Sequence, residues 1–195
     1  GGAIDSFGGT VIVQQSTFND NFAQSAGGGI SSSADTLGGA LSIENSTIAQ
    51  NTAGDSFSMQ GDGGGLYIQA NVNATVFAST VAFNMAGNHG GGAWVNGSLM
   101  LGRSIVSDNM AGVAGPEGFV SGGSVNSTGF NLVRDDSNFP MTPGTGDQIG
   151  TFTSPIDPNL LGLTDNGGPT PTIALGGMSP AIDAGPLDPS PLFAD

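Results

Sequence analysis

The sequence predicts an all-β fold: a right-handed parallel β-helix of about five coils, with an extended Pro/Gly-rich C-terminal segment packed on it. Three observations favour this fold. A nine-residue pattern recurs along the chain, a glycine cluster precedes each copy, and short alternating apolar runs lie between the two. No stretch of the 195 residues shows the period and length of an amphipathic helix.

The nine-residue pattern has the consensus x-Ser-Thr-(apolar)-x-x-Asn-x-Ala. Its serines are 30, 33 and 25 residues apart, at Ser16, Ser46, Ser79 and Ser104. Alternation over three to five residues is typical of short strands with one buried face. The repeats therefore predict one coil each, separated by turns rich in Gly, Asn and Ser.

Stacked coils place equivalent side chains in rows that face the core, and full burial of each large member contributes about 1.5–3 kcal/mol. The predicted rows are Ile4, Ile30, Leu66 and Trp94; Val11, Leu41, Ala74 and Leu99; Val13, Ile43, Val76 and Leu101; and Phe18, Ile48, Val81 and Val106. A row of alanines at 23, 53, 86 and 111 is expected where the interior of the β-helix is narrowest.

The asparagine of the pattern predicts a structural ladder at one turn, formed by Asn21, Asn51, Asn84 and Asn109. Each side-chain amide can donate to the neighbouring coil and satisfy backbone groups of the turn. A ligand-binding row is the alternative interpretation. The structural interpretation is favoured because the asparagines have the same spacing as the core rows. No catalytic residue recurs at a matching spacing.

Proline placement divides the chain into two parts. Residues 1–115 contain none of the eleven prolines, and ten lie between Pro140 and Pro191. A proline inside a stacked ladder would remove a hydrogen bond between coils. We therefore expect a β-helix over 1–133 and, over 134–195, a Pro/Gly-rich segment that packs along the solenoid or onto a neighbouring subunit.

The composition excludes some partners. The chain has two basic and sixteen acidic residues, so its formal net charge is −14. This excludes a nucleic-acid binder, which needs a basic face. It also argues against binding to anionic membranes, and no apolar run is long enough for membrane insertion.

The repeats resemble those of pectin-lyase-like parallel β-helix proteins of bacterial and archaeal cell surfaces. The end region resembles theirs more specifically, through DPNLLGL at 157–163, DNGGPTPT at 165–172 and SPAIDAG at 179–185. The resemblance implies an extracellular, cell-surface location. It implies little about activity, because this fold hosts many functions.

No convincing catalytic constellation emerges. Arg103 holds a turn position, Arg134 is expected to form a local ion pair with Asp135 and Asp136, and no partner set surrounds His89, the single histidine. Asp20 and Asp108 share a coil position, but the three coil steps between them amount to about 14 Å, too far for paired carboxylates. A glycan-binding module needs outward aromatic residues in line, and only Tyr67 and Phe77 are candidates, since Trp94 is assigned to the core.

Calcium is a weaker expectation, because aspartates beside turn carbonyls can supply hard oxygen ligands. The candidates are Asp62, Asp135 and Asp136. No other cofactor is indicated. Four N-x-Ser/Thr sequons are possible glycosylation sites, at Asn45, Asn73, Asn96 and Asn126.

We therefore expect a non-enzymatic extracellular surface protein with a structural or adhesive role. Gly1 to Ile4 start inside a coil, so either an upstream segment or another copy is expected to cover that end. The second case predicts self-association through the solenoid ends, head to tail, into a filament. The alternatives are a polysaccharide lyase or hydrolase and a glycan-binding module. The expected partners are further copies of the chain and, for an adhesive protein or a glycan-binding module, a polysaccharide or a cell surface.

Overall fold

The computed structural model describes residues 1–54 and 60–186, and its regular structure is entirely β. These two ranges contain no helix long and apolar enough to cross a membrane. The prediction of an all-β chain of stacked repeats is confirmed by strands that pair in parallel from one repeat to the next.

Each of the first four repeats contributes four short strands. The first has β1 Ile4–Phe7, β2 Gly9–Gln14, β3 Thr17–Asn19 and β4 Phe22–Ala23. The second has β5 Ile30–Ser33, β6 Gly39–Glu44, β7 Thr47–Ala49 and β8 Thr52–Ala53. The third has β9 Leu66–Ile68, β10 Val72–Phe77, β11 Thr80–Ala82 and β12 Met85–Ala86, and the fourth has β13 Ala93–Val95, β14 Ser98–Gly102, β15 Ile105–Ser107 and β16 Met110–Ala111.

The chain continues with β17 Gly118–Val120, β18 Ser124–Ser127, β19 Leu132–Val133, β20 Met141–Thr142 and β21 Gln148–Ile149, followed by β22 Leu160–Thr164 and β23 Thr172–Leu175. Four parallel sheets result. Sheet A is β1-β5-β9-β13-β17, sheet B is β2-β6-β10-β14-β18-β20, sheet C is β3-β7-β11-β15-β19-β21 and sheet D is β4-β8-β12-β16. Strands β22 and β23 form a separate antiparallel pair.

Equivalent apolar residues stack along the sheets and form one core. In sheet C the register joins Phe18, Ile48, Val81, Val106 and Val133. In sheet B two such rows run through Leu41 and Ile43, both buried. The alternation of side chains across each strand therefore directs one face of every repeat to the interior.

The inward position predicted for Trp94 is wrong. Leu66 pairs with Ala93, and Trp94 pairs with Tyr67 on the outer face of sheet A. The glycines that align are Gly63 to Gly65 and Gly90 to Gly92, so the true repeat is displaced by one residue from the predicted one. A shift of one residue turns every side chain of a strand to the opposite face.

Two corners of each repeat contain a non-glycine residue in the left-handed region. Before the repeated serine, Asn45 and Arg103 have φ of 48° and 50°, and before the repeated asparagine, Gln50 and Asp108 have φ of 59° and 57°. The residue that follows each of them turns its side chain inward. The same backbone turn therefore recurs in every repeat, whatever side chain stands at the left-handed position.

Strand pairing extends beyond the expected boundary at residue 133. Strand β20 pairs with β18, and β21 pairs with β19. Pro140 and Pro143 flank β20 on the edge of sheet B, where a missing N–H is tolerated. Phe139 is fully buried against Gly118, so an aromatic ring closes the core at this end.

The C-terminal segment returns along the outside of sheet C. The β22–β23 hairpin places Ile173, Leu160 and Leu163 on Ala49 and Ala82. At its two ends, the Thr17 hydroxyl donates to the Pro171 carbonyl (2.6 Å) and the Gln148 amide donates to the Pro180 carbonyl (2.8 Å). This segment therefore bridges the first repeat to the last.

Candidate functional site

The repeated asparagines form a continuous hydrogen-bonded column inside the corner between sheets C and D. The side-chain amide of Asn21 donates to Asn51 Oδ1 (2.8 Å), that of Asn51 to Asn84 (2.9 Å) and that of Asn84 to Asn109 (2.9 Å). The backbone N–H of each donor residue reaches the same oxygen. The Asn84 and Asn109 amides also donate to backbone carbonyls, so these groups serve the backbone of the solenoid.

A second column, which sequence reasoning missed, lies at the corner between sheets B and C. The backbone N–H of Ser46 donates to Ser79 Oγ (3.1 Å), that of Ser79 to Ser104 Oγ (3.2 Å) and that of Ser104 to Asn131 Oδ1 (3.0 Å). The recurring serine of the repeat pattern was the available signal. It was used to align the repeats, although its small hydroxyl also suits a buried acceptor.

Both columns end at a carboxylate. Glu117 Oε2 accepts from the Asn109 amide (2.8 Å) and backbone N–H (3.3 Å). Asp147 Oδ1 accepts from the Asn131 backbone N–H (2.8 Å) and amide (3.0 Å), while its Oδ2 accepts from Gly144. An ionised carboxylate only accepts hydrogen bonds, so it can end a column without presenting a further donor.

Burial raises the pKa of Glu117 to about 7, against the opposing effect of the hydrogen bonds from Asn109. The nearby Asp108 carboxylate raises this pKa further, and the Arg134 guanidinium lowers it. The Nε of Arg134 lies 4.0 Å from Glu117 Oε1. A carboxyl group with a pKa near neutrality is a candidate proton donor or acceptor, but Glu117 is buried and its Oε2 is held by Asn109.

The outer face of sheet A carries a column of aromatic residues. Tyr67, Trp94 and Phe119 are in register, and the Tyr67 and Trp94 rings stack with centroids 4.4 Å apart and planes 8° apart. The His89 ring lies 4.4 Å from that of Phe119, and its Nδ1 is 3.3 Å from Asp62 Oδ1. The pKa of Tyr67 is raised, first by burial and then by the Asp62 charge.

This geometry bears on the predicted aromatic platform. Three aromatic residues stand in line where the sequence suggested Tyr67 alone on this sheet. However, Tyr67 and Trp94 cover each other's faces, so stacking of a sugar on the covered faces is blocked. Parallel stacking along the sheet is the arrangement expected of a side-chain ladder that stabilises neighbouring strands.

The two arginines occupy different surroundings. Arg103 lies over the Phe77 ring, 5.3 Å from its centroid. Arg134 contacts Asp108 at 3.3 Å, which corrects the predicted local pair with Asp135 and Asp136. The reason is that the repeats are stacked, so Arg134 lies beside Asp108 of the preceding repeat.

Asp62 and Asp135, two of the residues predicted as calcium ligands, accept hydrogen bonds at turns. Asp62 Oδ1 accepts from the Asn88 amide (2.9 Å) and the His89 backbone N–H (3.1 Å), and Asp135 Oδ1 accepts from the Ser137 N–H (2.9 Å). The Asp136 backbone N–H pairs with Gly150. Within 1–54 and 60–186, no three His, Asp or Glu side chains come close enough together to hold a metal ion.

The sequon asparagines lie on or beside the outer face of sheet B. Asn45 is exposed at a turn, Asn73 is exposed in the middle of β10, and Asn96 and Asn126 are half-buried. Acidic residues are nearly absent from the strands of the described chain, where only Asp5 and Glu44 occur. On their outer face the strands of sheet B therefore carry uncharged side chains, apart from Glu44. The Arg103 guanidinium lies over Phe77 at the end of β10, and the net charge of the protein is −14.

Comparisons with protein-family models, with curated proteins and with solved structures gave no match to this chain.

Proposed function

We propose that this chain is a non-enzymatic extracellular surface protein with a structural and adhesive role, built as a right-handed parallel β-helix of about five coils of the pectin-lyase-like kind. The observation that carries the proposal is the combination of a fully hydrogen-bonded interior with a nearly uncharged outer face of sheet B. Such a surface presents many short polar side chains at fixed positions. This arrangement suits adhesion to another surface better than catalysis.

The rigid interior is supported by its polar groups. Two hydrogen-bonded columns run through the repeats, and no buried side-chain nitrogen or oxygen of the described chain lacks a partner. The repeated asparagines looked like possible ligand-binding residues in the sequence. Their side chains instead make their hydrogen bonds within these columns. Function therefore falls to the outer faces.

Self-association through the solenoid ends is part of the proposal, and the geometry makes the two ends unequal. Strands β1 to β4 each have one unpaired edge on the side away from the second repeat, within the described residues. At the opposite end, β16, β17, β20 and β21 are likewise the last strands of their sheets, while Phe139 and the two carboxylates close the core and the columns. Contact between the first repeat of one copy and the last repeat of another, head to tail, would propagate into a filament, and this is the mode of association that we propose.

Adhesion is tested by coating beads with the purified chain and measuring their attachment to surfaces of neutral polysaccharide, acidic polysaccharide and protein. We expect attachment to at least one surface that survives high salt, because the sheet B face is almost free of charge. Release of unsaturated or reducing products from acidic polysaccharides, with or without calcium, would instead establish a lyase or hydrolase and overturn the proposal.

A further inference from the structure

We propose that a trough at the corner between sheets A and B binds a neutral glycan, lying along the solenoid axis. This rests on the adhesive function proposed above and gives it a site. Two adjoining grooves of about 450 and 380 Å³ form the trough and share Asn73 as a lining residue. The first spans the first two repeats and the second spans repeats three to five.

At this corner the backbones of neighbouring repeats lie close together. A Cβ on Gly97 would overlap the Val72 carbonyl oxygen, and a Cβ on Gly123 would overlap the carbonyl oxygen of Gly97. Only glycine tolerates such close backbone contact. The floor of the trough is therefore bare backbone, and its walls are side chains of the neighbouring strands.

One wall is a column of short side chains in register on sheet B. The register joins Thr10, Ala40, Asn73, Ser98 and Ser124. Asn71 and Asn96 stand on the opposite wall. Successive strands are spaced about 4.8 Å apart, so polar groups recur at that interval along the trough.

These polar side chains are available to a ligand. The side chains of Asn71, Asn73 and Ser124 are exposed, and those of Asn96 and Ser98 are half-buried. The repeated serines and asparagines of the interior columns, in contrast, are all engaged. A line of accessible hydroxyl and amide groups can both donate to and accept from a hydroxyl-rich chain.

The charge around the trough selects against acidic ligands. None of the residues that line either groove is charged, and the net charge of −14 repels anions. An acidic polymer would need a compensating base in the trough. A neutral polysaccharide meets no such penalty and gains several weak hydrogen bonds along its length.

The test compares two triple variants of the full chain, produced without glycosylation because Asn73 and Asn96 are sequon residues. The trough variant combines Asn73→Ala, Ser98→Ala and Ser124→Ala. The matched control combines Asn19→Ala, Ser25→Ala and Thr153→Ala, three exposed polar residues that lie outside sheet B and outside both grooves. Probes are soluble mannan, dextran, β-glucan and xylan, with polygalacturonate as the charged comparison.

We expect the wild type to bind at least one neutral probe, with shifts of the Asn73 and Asn96 side-chain amide signals in NMR spectra. The trough variant should lose about tenfold or more in affinity, the sum of several modest hydrogen bonds, while the control stays within about twofold. Equal losses in both variants, or preferential binding of polygalacturonate, would overturn the trough. If the beads attach to surfaces but no neutral probe binds, the trough fails and adhesion stands; if nothing attaches, both fail.

Discussion

At the scale of single residues, stability rests on polar side chains that are buried but fully paired. Asn84 shows this most clearly. Its Oδ1 accepts from the backbone and side chain of Asn51, and its amide donates to the Ile48 carbonyl and to Asn109. Removing this side chain leaves buried donors and acceptors of two other repeats without partners.

We therefore expect Asn84→Ala to lower the free energy of unfolding by roughly 2–5 kcal/mol, because each buried group left unpaired costs about 1–3 kcal/mol. Chemical denaturation followed by circular dichroism measures this. Asn73→Ala is the control, since Asn73 is exposed on the outer face and should change the free energy by less than about 0.5 kcal/mol. Similar losses in both variants would contradict the role of the column.

Glu117 makes stability depend on pH in an unusual direction. Its pKa of about 7 in the folded protein exceeds the ordinary value of 4.5, so the folded state holds more protons between these values. Stability is then fully present below the lower value and is lost as pH rises through the upper one, by about 3 kcal/mol at most.

Unfolding free energies at pH 5 and pH 8 test this, with Glu117→Gln as the variant. Glutamine keeps an acceptor for Asn109 and has no charge, so the decline should flatten. Glu44→Gln is the control, because Glu44 lies on the outer face beside Gln14. A Glu117→Gln protein with the pH profile of the wild type would exclude this carboxyl as the cause.

The repeat pattern in the sequence predicts the asparagine column but not its end. A pattern shows which residue recurs, and Glu117 stands where the earlier repeats have Gly29, Gly65 and Gly92. From this glycine position, the long Glu117 side chain reaches the column, and its Oε2 accepts the hydrogen bonds of Asn109. Asp147, in contrast, stands in register with Ser104 and Asn131, so it takes the position of the acceptor itself.

At the scale of elements, the predicted strands depended on the alignment of repeats, and one slip moved Trp94 from the core to the surface. The glycine cluster at 90–92 could be aligned in two ways, because Ala93 and Trp94 are both apolar. The predicted row put Trp94 in line with Leu66, whereas the register places the small Ala93 inside. Matching the three glycines at 90–92 with those at 63–65 gives the observed register, so the signal lay in the glycine cluster and not in the apolar residues that follow it.

The C-terminal hairpin is a separable element whose attachment can be weakened. Ile173 is buried on Ala49 and Ala82, whereas Leu161 is half exposed on the neighbouring strand. We expect Ile173→Ala to cost about 1–3 kcal/mol of local stability, part of the usual loss for a buried isoleucine, because the site lies at the surface. Hydrogen exchange should then accelerate in β22 and β23 and remain slow in sheet B.

Leu161→Ala provides the control for this hairpin and should leave exchange unchanged. If Ile173→Ala instead accelerated exchange uniformly through all four sheets, the hairpin would be an integral part of one cooperative unit. The order of protection therefore distinguishes a clamp laid on the solenoid from a component of its core.

At the scale of the whole molecule, the two ends of the solenoid differ in chemistry. The columns run in one direction, with the N–H groups of each repeat donating to the next, and stop at carboxylates beside a buried phenylalanine. On the other side, β1 to β4 are the end strands of their sheets, and Ile4, Val11 and Phe18, the first members of their inward rows, are only half-buried. An unpaired strand edge can pair with the edge of another chain.

Charge placed on that edge should therefore control association. Ile12 lies on β2 with 66% of its surface exposed, and Met100 occupies the same outward column on the internal strand β14. We expect the mass measured by sedimentation to rise with concentration for the wild type and for Met100→Lys, but not for Ile12→Lys, because lysine on an edge strand opposes pairing whereas lysine within the sheet does not. A wild type that stays monomeric throughout would remove self-association from the proposal, and equal effects of the two lysines would locate the contact on the face of sheet B instead of its edge.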